Sequence, residues 1–324
     1  MLSNCKLNSY FLAKMKPITI YTIKLTEPQA SLVRTYLVDH DFELQKVPYA
    51  RFAGSDPKLT IVFYESGKLV VQGKGTEDFV KFYLEPNVLR EVRLGYDEVL
   101  NPRAFEPHMG VDESGKGDYF GPIVIGAVYA SKEGFLKFRE LGVRDSKAIS
   151  SDAKAIELAK GIRVIPQCVA EAIIIGPQAY NRLHAKMQNV NSILGWGHAR
   201  AIENVLAKIA SRGGGNICHR AISDQFGNKR IIQEALMERG RKIELEQRHR
   251  AEEDLAVAAA SIIARAEFIL ALRKLGKRWG IQFPKGASDI VIERAREFVS
   301  KHGKESLPEV AKLHFRTTQK VANI

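Results

Sequence analysis

Two adjacent acidic residues constrain this chain more than any other feature of its sequence. Asp112 and Glu113 end a short strand-like segment, residues 111–113, and are followed by Gly115-Lys116-Gly117. Neighbouring carboxylates repel each other, so holding both near the interior of a fold is costly unless a proton or a cation intervenes. Hard divalent cations take oxygen ligands, commonly one or two carboxylates together with substrate phosphates. The pair therefore favours a metal site over a solvated acidic turn.

The same run also matches part of a nucleotide-binding motif. Residues 110–116 fit the pattern GxxxxGK, but Gly117 stands where phosphate-binding loops place the Ser or Thr that binds Mg²⁺. Asp112 and Glu113 would also lie inside a loop that must cradle phosphates with its amides, and they would repel the anion. The mechanics of the motif argue against a nucleotide hydrolase.

A proline-rich stretch divides the chain into two parts of different pattern. Before it, the order β-α-β-β-β-β-α predicts one sheet with helices on one face. After it, strands alternate with helices, which is typical of a mixed α/β domain with a central sheet. We assign an N-terminal extension at 1–16, a small α+β domain at 17–85, a linker at 86–107 and an α/β domain at 108–324.

The pattern of the second part predicts several helices and strands. Strands are predicted at residues 111–113, 123–129, 163–169 and 220–223. Helices are predicted at residues 149–160, 192–210, 251–276 and 288–301. In the first part, the closing helix is predicted to run from Thr76 to residue 84.

The net charge of +12 is concentrated in the second part of the chain. Residues 1–108 have a net charge of +1 and residues 109–324 a net charge of +11. A field of one sign raises the local concentration of polyanions, of which nucleic acid is the commonest partner. The alternative is a basic surface that serves solubility alone.

Composition excludes several other classes of protein. The longest stretches without Lys, Arg, Asp or Glu are thirteen residues, whereas a membrane span needs about 20 consecutive apolar residues. Three scattered cysteines, Cys5, Cys168 and Cys218, include no CxxC pair and fit a reducing cytoplasm. We therefore expect a cytoplasmic protein without a membrane segment, and a monomer. The eight histidines show no metal-binding spacing.

Four motifs in fixed order resemble the type 2 ribonucleases H. They are DESGKGDYFGP at 112–122, RDSK at 144–147, SDQFG at 223–227 and LAVAAASIIAR at 255–265. The Gly-Lys-Gly form resembles ribonuclease HIII in particular, since ribonuclease HII usually has Arg between these glycines. The N-terminal unit is similar to the half-TATA-box-binding-protein domain of ribonuclease HIII. The resemblance implies a ribonuclease H-like mixed sheet flanked by helices.

The resemblance also implies an activity and a set of metal ligands. The family cleaves the RNA strand of RNA/DNA hybrids endonucleolytically, with Mg²⁺ or Mn²⁺ held by four carboxylates. By resemblance, Asp112 and Glu113 are the first two and Asp224 the third. By the same resemblance, the fourth is Glu252. Glu253 stays the second choice, because spacing alone does not separate the two residues. Acids in the first turn of a helix also stabilise its dipole, so both roles could coexist.

Substrate contacts are predicted at three places. By resemblance, the loop Ser114, Gly115, Lys116 and Gly117 contacts the RNA strand, since glycines let the backbone approach a ribose 2′-hydroxyl closely. Ser146 and Lys147 are expected to grip a phosphate, with an ordinary polar loop as the alternative. In the N-terminal domain, a hybrid-binding face is predicted from Lys46, Tyr49, Arg51, Lys68 and Lys74.

Two competing functions stay open at this point. A non-catalytic nucleic-acid binder would use the basic surface but gives no reason for the acids to cluster. An enzyme like ribonuclease HII would cut at single embedded ribonucleotides. We expect poor cleavage of that substrate, because residues 314–324 contain no tyrosine. Ribonucleases HII resemble one another in using a tyrosine in this region.

Overall fold

The computed structural model describes residues 18–90, 102–143, 149, 151–213 and 217–322. The chain forms two compact units, Met1–Ala104 and Phe105–Ile324. The predicted extension at 1–16 lies outside the described residues, as does the central part of the predicted linker, residues 91–101.

The N-terminal unit is a five-stranded antiparallel sheet with its helices on one face. In chain order its elements are β1 (Ile20–Lys24), α1 (Glu27–Asp39), β2 (Glu43–Leu44), β3 (Ala50–Ser55), β4 (Thr60–Tyr64), β5 (Lys68–Gln72) and α2 (Thr76–Phe79). The sheet order is β1-β5-β4-β3-β2. The element order predicted from the sequence is confirmed.

The closing helix of this unit is longer than predicted. After α2 the chain continues as a wider, π-helical coil over Val80–Leu89, with Pro86 inside it. Leu84 and Val88 are buried in the core of the unit, which keeps the coil against the sheet beyond the expected end at residue 84.

The second unit contains a mixed five-stranded sheet in the order β10-β9-β6-β7-β8. Its strands are β6 (His108–Ser114), β7 (Ile123–Ala130), β8 (Cys168–Ile175), β9 (Arg220–Asp224) and β10 (Glu244–Arg248). The pairs β6–β9 and β9–β10 are parallel, and the pairs β6–β7 and β7–β8 are antiparallel. The described helices are α3 (Lys132–Leu141), α4 (Asp152–Arg163), α5 (Pro177–Met187), α6 (Val190–Arg212), α7 (Arg230–Ala235), α8 (Leu255–Trp279), α9 (Asp289–His302) and α10 (Arg316–Ala322).

Two long helices pack against this sheet. Ile193 and Val205 of α6 lie in one apolar core with Ile125 of β7. Helix α8 approaches β6 and β7 so closely that a Cβ atom on Gly126 would lie 2.3 Å from the carbonyl oxygen of Ala260. By length and mean hydropathy (2.0) α8 could cross a membrane, but 72% of its apolar window is buried inside the protein. Its composition is explained by that packing.

Two element boundaries predicted from the sequence were wrong. Helix α4 runs to Arg163 because Ile162 continues its buried stripe, so the predicted strand at 163–169 begins only after Pro166, at Cys168. The predicted helix at 251–276 begins late, since Asp254 caps α8 at Leu255 and a separate 3-10 turn, Ala251–Glu253, precedes it.

Candidate active site

The carboxyl ends of two neighbouring parallel strands meet at one edge of the second sheet. In the register of β6 and β9, Val111 lies opposite Ser223 as the last pair. Asp112 and Asp224 come next along their strands. Because parallel strands end at the same edge, the register brings these two predicted acids together.

A third acidic segment reaches this edge through strand β10. The last residue of β10, Arg248, pairs with Asp224. The chain then enters the 3-10 turn Ala251–Glu253, whose first backbone N–H donates to Oδ1 of Asp224 at 3.4 Å. Glu252 is half-buried in this turn, whereas Glu253 is exposed. The turn is therefore attached to the third predicted acid.

Helix α8 follows this turn and packs directly on β6. A Cβ atom on Gly110 would lie 2.1 Å from backbone atoms of both Ala256 and Val257. Since such an approach excludes any side chain, only glycine lets the start of the helix lie against the strand here. This contact lies two residues before Asp112 and brings α8 to the acidic edge.

Asp254 fixes the point at which α8 begins. Its Oδ1 accepts hydrogen bonds from the backbone N–H groups of Ala256 and Val257, and from Nε2 of the fully buried His108 at 3.0 Å. Burial raises the pKa of Asp254, but the hydrogen bond and charge of His108 outweigh burial and lower it. Because His108 opens β6, the pair ties the start of the strand to the start of the helix.

Asp112 is an unusually weak acid. Burial, followed by the negative charge of Glu113, raises the pKa of Asp112 to about 6, although the Ser261 hydroxyl of α8 donates a hydrogen bond that opposes the rise. The backbone N–H of Glu113 also donates to Oδ1 of Asp112, at 2.8 Å. Ionising this carboxyl group is costly in the metal-free protein, and a cation beside it would remove that cost.

Glu113 is held in its ionised form by its neighbours. Burial raises its pKa, but the hydrogen bond from His198 and the charges of His198 and Lys116 outweigh burial and lower it. Nε2 of His198 donates to Oε2 of Glu113 at 3.1 Å, and the ammonium of Lys116 lies 3.9 Å from Oε1. Nδ1 of His198 lies 3.1 Å from Oγ of Ser223, so the buried imidazole connects the ends of β6 and β9.

Sequence reasoning missed His198. This residue lies on the buried stripe of α6 together with Leu194, Ala201 and Val205. A titratable side chain on an apolar stripe needs a buried polar partner, so the pattern could have marked His198 as unusual. It could not have named Glu113 as that partner.

The loop after β6 contains two glycines for different reasons. Gly115 has a φ of +91°, and a Cβ atom there would lie 2.3 Å from the carbonyl oxygen of Pro122, so internal packing requires glycine. A Cβ atom on Gly117 would meet no atom within 4 Å, and Gly117 has no left-handed φ. Packing does not require glycine at 117, whereas a ligand approaching the backbone closely would.

The donor set at this edge fits a hard divalent cation. The predicted ligands Asp112, Glu113, Asp224 and Glu252 offer carboxylate oxygens, the ligands that Mg²⁺ and Mn²⁺ prefer. Among the residues that the structure describes, no three acidic, histidine or cysteine side chains are grouped closely enough to hold a metal ion by themselves. Mg²⁺ usually takes one or two carboxylates from a protein and completes its coordination with waters and substrate phosphates.

Two other groups of substrate contacts were predicted from the sequence. Ser146 and Lys147 lie outside the described residues. The five predicted contacts of the N-terminal unit are exposed: Lys46, Tyr49, Arg51, Lys68 and Lys74.

These N-terminal residues do not all share one face of their sheet. Arg51 pairs with Glu27 of α1 and lies over the ring of Phe63, which belongs to the helix-covered core. Lys68 lies on the opposite face, because it alternates along β5 with the buried Leu69. The open face of the sheet therefore includes Lys68 but not Arg51.

Comparison with known proteins agrees with this architecture. The family model described as ribonuclease HII matches residues 109–318, and a domain of unknown function (DUF3378) matches residues 21–91. Ribonuclease HIII from Protochlamydia amoebophila (strain UWE25) is 39% identical over 300 residues, covering 93% of this chain and 94% of that protein. Ribonuclease HIII from Chlamydia pneumoniae is 39% identical over 305 residues, covering 94% and 98%.

Solved structures give the same result. The crystal structure of Bst-RNase HIII in complex with Mn²⁺ has a TM-score of 0.65 at 28% identity and covers 94% of this chain and 98% of that one. The crystal structure of Aquifex aeolicus RNase H3 has a TM-score of 0.52 at 29% identity, covering 91% and 100%.

The mixed sheet and the acids at the ends of its parallel strands define a type 2 ribonuclease H. Within that class, the chain belongs to the ribonuclease HIII family. It is a metal-dependent endoribonuclease that cleaves the RNA strand of RNA/DNA hybrids. The fold class, family and activity implied by the four sequence motifs are confirmed.

Proposed function

We propose that Asp112, Glu113, Asp224 and Glu252 bind the divalent cations, Mg²⁺ or Mn²⁺, that this activity requires. The observation that carries the proposal is the register of β6 and β9, which puts Asp112 and Asp224 at one sheet edge. The raised pKa of Asp112 supports it, because a bound cation stabilises the ionised carboxylate. The Mn²⁺ complex of Bst-RNase HIII supports a divalent metal in the family.

The side chains of the protein act by binding the cations and by orienting the carboxylates that hold them. Two bound cations would activate the attacking water and stabilise the leaving 3′-oxygen, giving 5′-phosphate and 3′-hydroxyl ends. His198 orients the carboxylate of Glu113, and Ser261 orients that of Asp112. In this proposal Lys116 donates to a phosphate oxygen, and the 41% exposure of its side chain beside Glu113 supports that role.

Glu252 is favoured over Glu253 as the fourth acid. Glu252 is half-buried in a turn whose backbone donates to Asp224, whereas Glu253 is exposed. Asp254 is already engaged by His108 and by the start of α8.

The loop Ser114–Gly117 contacts the ribose of the RNA strand in this proposal. The space around Gly117 supports this role, since a ligand can approach its backbone directly. Ser146 and Lys147 supply a phosphate contact. The N-terminal unit adds a second contact to the hybrid through Lys46, Tyr49, Lys68 and Lys74, while the pairing of Arg51 with Glu27 argues against a direct role for Arg51.

We further propose that the protein works as a monomer in the reducing cytoplasm. The two described cysteines, Cys168 and Cys218, are buried and form no disulfide. Burial raises the pKa of Cys168 to about 12 and that of Cys218 to about 11, so neither is a reactive thiolate. Light scattering coupled to gel filtration tests the oligomeric state.

The proposal is tested with two duplexes of one sequence, a uniform RNA/DNA hybrid and a DNA duplex containing a single ribonucleotide. We expect efficient cutting of the hybrid with Mg²⁺ or Mn²⁺, none with EDTA, and 5′-phosphate product ends. Efficient cutting on the 5′ side of the single ribonucleotide would instead favour the ribonuclease HII activity. Binding without cleavage in either metal would favour a non-catalytic binder.

A further inference from the structure

A fully buried lysine, Lys312, contacts the end of the loop that follows β6, although it is far from the acids in the sequence. Lys312 has no exposed surface. Its Nζ donates to the carbonyl oxygen of Gly121 at 2.7 Å and lies 3.5 Å from those of Phe120 and Pro122. One side chain therefore gathers three consecutive carbonyl groups at the end of the loop that follows Glu113.

The backbone around Lys312 holds the same segment. The N–H of Lys312 donates to the carbonyl oxygen of Tyr119 at 2.9 Å, and the N–H of Gly121 donates to that of Val310 at 2.9 Å. The hydroxyl of Thr318 donates to that of Tyr119 at 3.3 Å. Residues 119–122 are thus bound from one side by the C-terminal segment 310–318.

This segment is in direct contact with the predicted ribose-binding loop. A Cβ atom on Gly115 would lie 2.3 Å from the carbonyl oxygen of Pro122, and that same oxygen lies 3.5 Å from Nζ of Lys312. Across the loop, the N–H of Gly286 donates to Oδ1 of Asp118 at 2.6 Å. The backbone of Gly115 therefore rests on a carbonyl group whose position Lys312 helps to set.

Filling space does not explain a lysine at this position. Burial lowers the pKa of Lys312 to about 7, against the opposing charge of Asp118, because removing an ammonium from water is costly. A methionine of similar length would fill the volume without that cost. Three carbonyl oxygens converge on this position, and an ammonium group can donate to all three because it has three N–H donors.

We propose that Lys312 is a positioning residue for ribose recognition, which fixes the carbonyl groups of residues 120–122 so that Gly115–Gly117 present their backbone to the RNA strand. The inference rests on the proposed role of that loop. It assigns part of substrate selection to the C-terminal segment, although Lys312 itself touches neither substrate nor metal.

The test compares Lys312→Met with the matched control Lys320→Met, which changes an exposed lysine of helix α10 just beyond the C-terminal segment. Affinities for a hybrid and for a DNA duplex of the same sequence are measured in EDTA by fluorescence anisotropy. We expect Lys312→Met to reduce the preference for the hybrid by about tenfold, as loss of a 2′-hydroxyl contact would. Lys320→Met should keep the wild-type preference.

Two further measurements separate positioning from general loss of structure. In Lys312→Met, Mn²⁺ affinity should stay within about twofold of wild type, since the acids are not in contact with Lys312. Hydrogen exchange should rise in residues 115–122 but not in strand β9. An unchanged hybrid preference in folded Lys312→Met, or a loss of Mn²⁺ affinity as large as the loss of preference, would overturn the proposal.

A second variant decides the matter if Lys312→Met does not fold. Thr318→Val removes only the hydrogen bond to Tyr119 and should reduce the hybrid preference in the same direction, by about threefold. No change in that variant would overturn the proposal. If the wild-type protein itself shows no preference for the hybrid, the proposed role of the loop fails instead.

Discussion

The carboxylates of Asp112 and Glu113, adjacent in the sequence, are held by helices on opposite faces of one sheet. Ser261 of α8 donates to Asp112, and His198 of α6 donates to Glu113. Alternation along a strand directs neighbouring side chains to opposite faces, so each acid has its own support. The two acids therefore stay separately oriented in spite of their repulsion.

Replacing His198 should weaken metal binding without removing a ligand. In His198→Ala, Glu113 loses its donor at 3.1 Å, so we expect Mn²⁺ affinity to fall by about 10- to 100-fold, as is usual when a residue orienting a ligand is lost. Calorimetric titration with Mn²⁺ measures this. Ser223→Ala removes the contact with Nδ1 of His198 and a hydrogen bond to the carbonyl oxygen of Asp224 but leaves the donor to Glu113, so it should have a smaller effect. Wild-type affinity in His198→Ala would refute the positioning role.

Asp112→Asn should stabilise the metal-free fold while abolishing catalysis. The pKa of Asp112 is raised to about 6, above its value in the unfolded chain, so its ionised form destabilises the folded state above pH 6. That destabilisation disappears as the pH falls through 6 towards 4. Asparagine keeps the hydrogen bonds without the charge, and the gain at pH 7 should be on the order of 1–3 kcal/mol.

Urea unfolding in EDTA at pH 7 and pH 5 checks this prediction. The stability advantage of Asp112→Asn over wild type should shrink at the lower pH, because the wild-type carboxyl group becomes protonated there. An advantage that stays constant or grows at pH 5 would show that Asp112 is not the destabilising acid.

Two glycine substitutions should separate folding from substrate binding. Gly110→Ala puts a methyl group 2.1 Å from the backbone of α8 and should destabilise the protein by about 3 kcal/mol or more. Gly117→Ala meets open space, so its melting temperature should match wild type while KM for the hybrid rises. Thermal melting and steady-state kinetics measure both variants. A wild-type KM in Gly117→Ala would contradict the proposal that the ribose approaches the backbone of Gly117 closely.

The fourth acid is identified by a matched pair of substitutions. Glu252→Gln should lower the cleavage rate by about 100-fold or more, because it removes a metal ligand, and Glu253→Gln should remain close to wild type. Single-turnover rates with Mn²⁺ give the comparison. The reverse ranking would assign the role to Glu253.

The acids at the strand ends could be predicted because the signal is local. A strand that ends in Asp112 and Glu113, and another that ends in Asp224, are both visible in short stretches of sequence. The contacts that hold these acids are not local. His198 lies 85 residues from Glu113, and Asp254 lies 146 residues from His108, so neither pairing could be predicted from a single sequence.

Local pattern also misplaced the boundary that matters most for the site. Residues 251–276 are rich in good helix formers, and they predict one continuous helix. The bond between Asp254 and His108 instead starts the helix at Leu255 and leaves Glu252 in a separate turn. A tertiary contact thus decided the position of Glu252, the proposed fourth acid.

The most direct test of the metal site is the initial rate of hybrid cleavage by wild type and Asp112→Asn, measured side by side with Mg²⁺ and with Mn²⁺. Both proteins should be folded by the same spectroscopic criterion. We expect the wild-type protein to cleave with both metals and Asp112→Asn to be slower by about 1,000-fold or more. Equal rates in the two proteins would contradict the assignment of Asp112, and with it the metal site at this sheet edge.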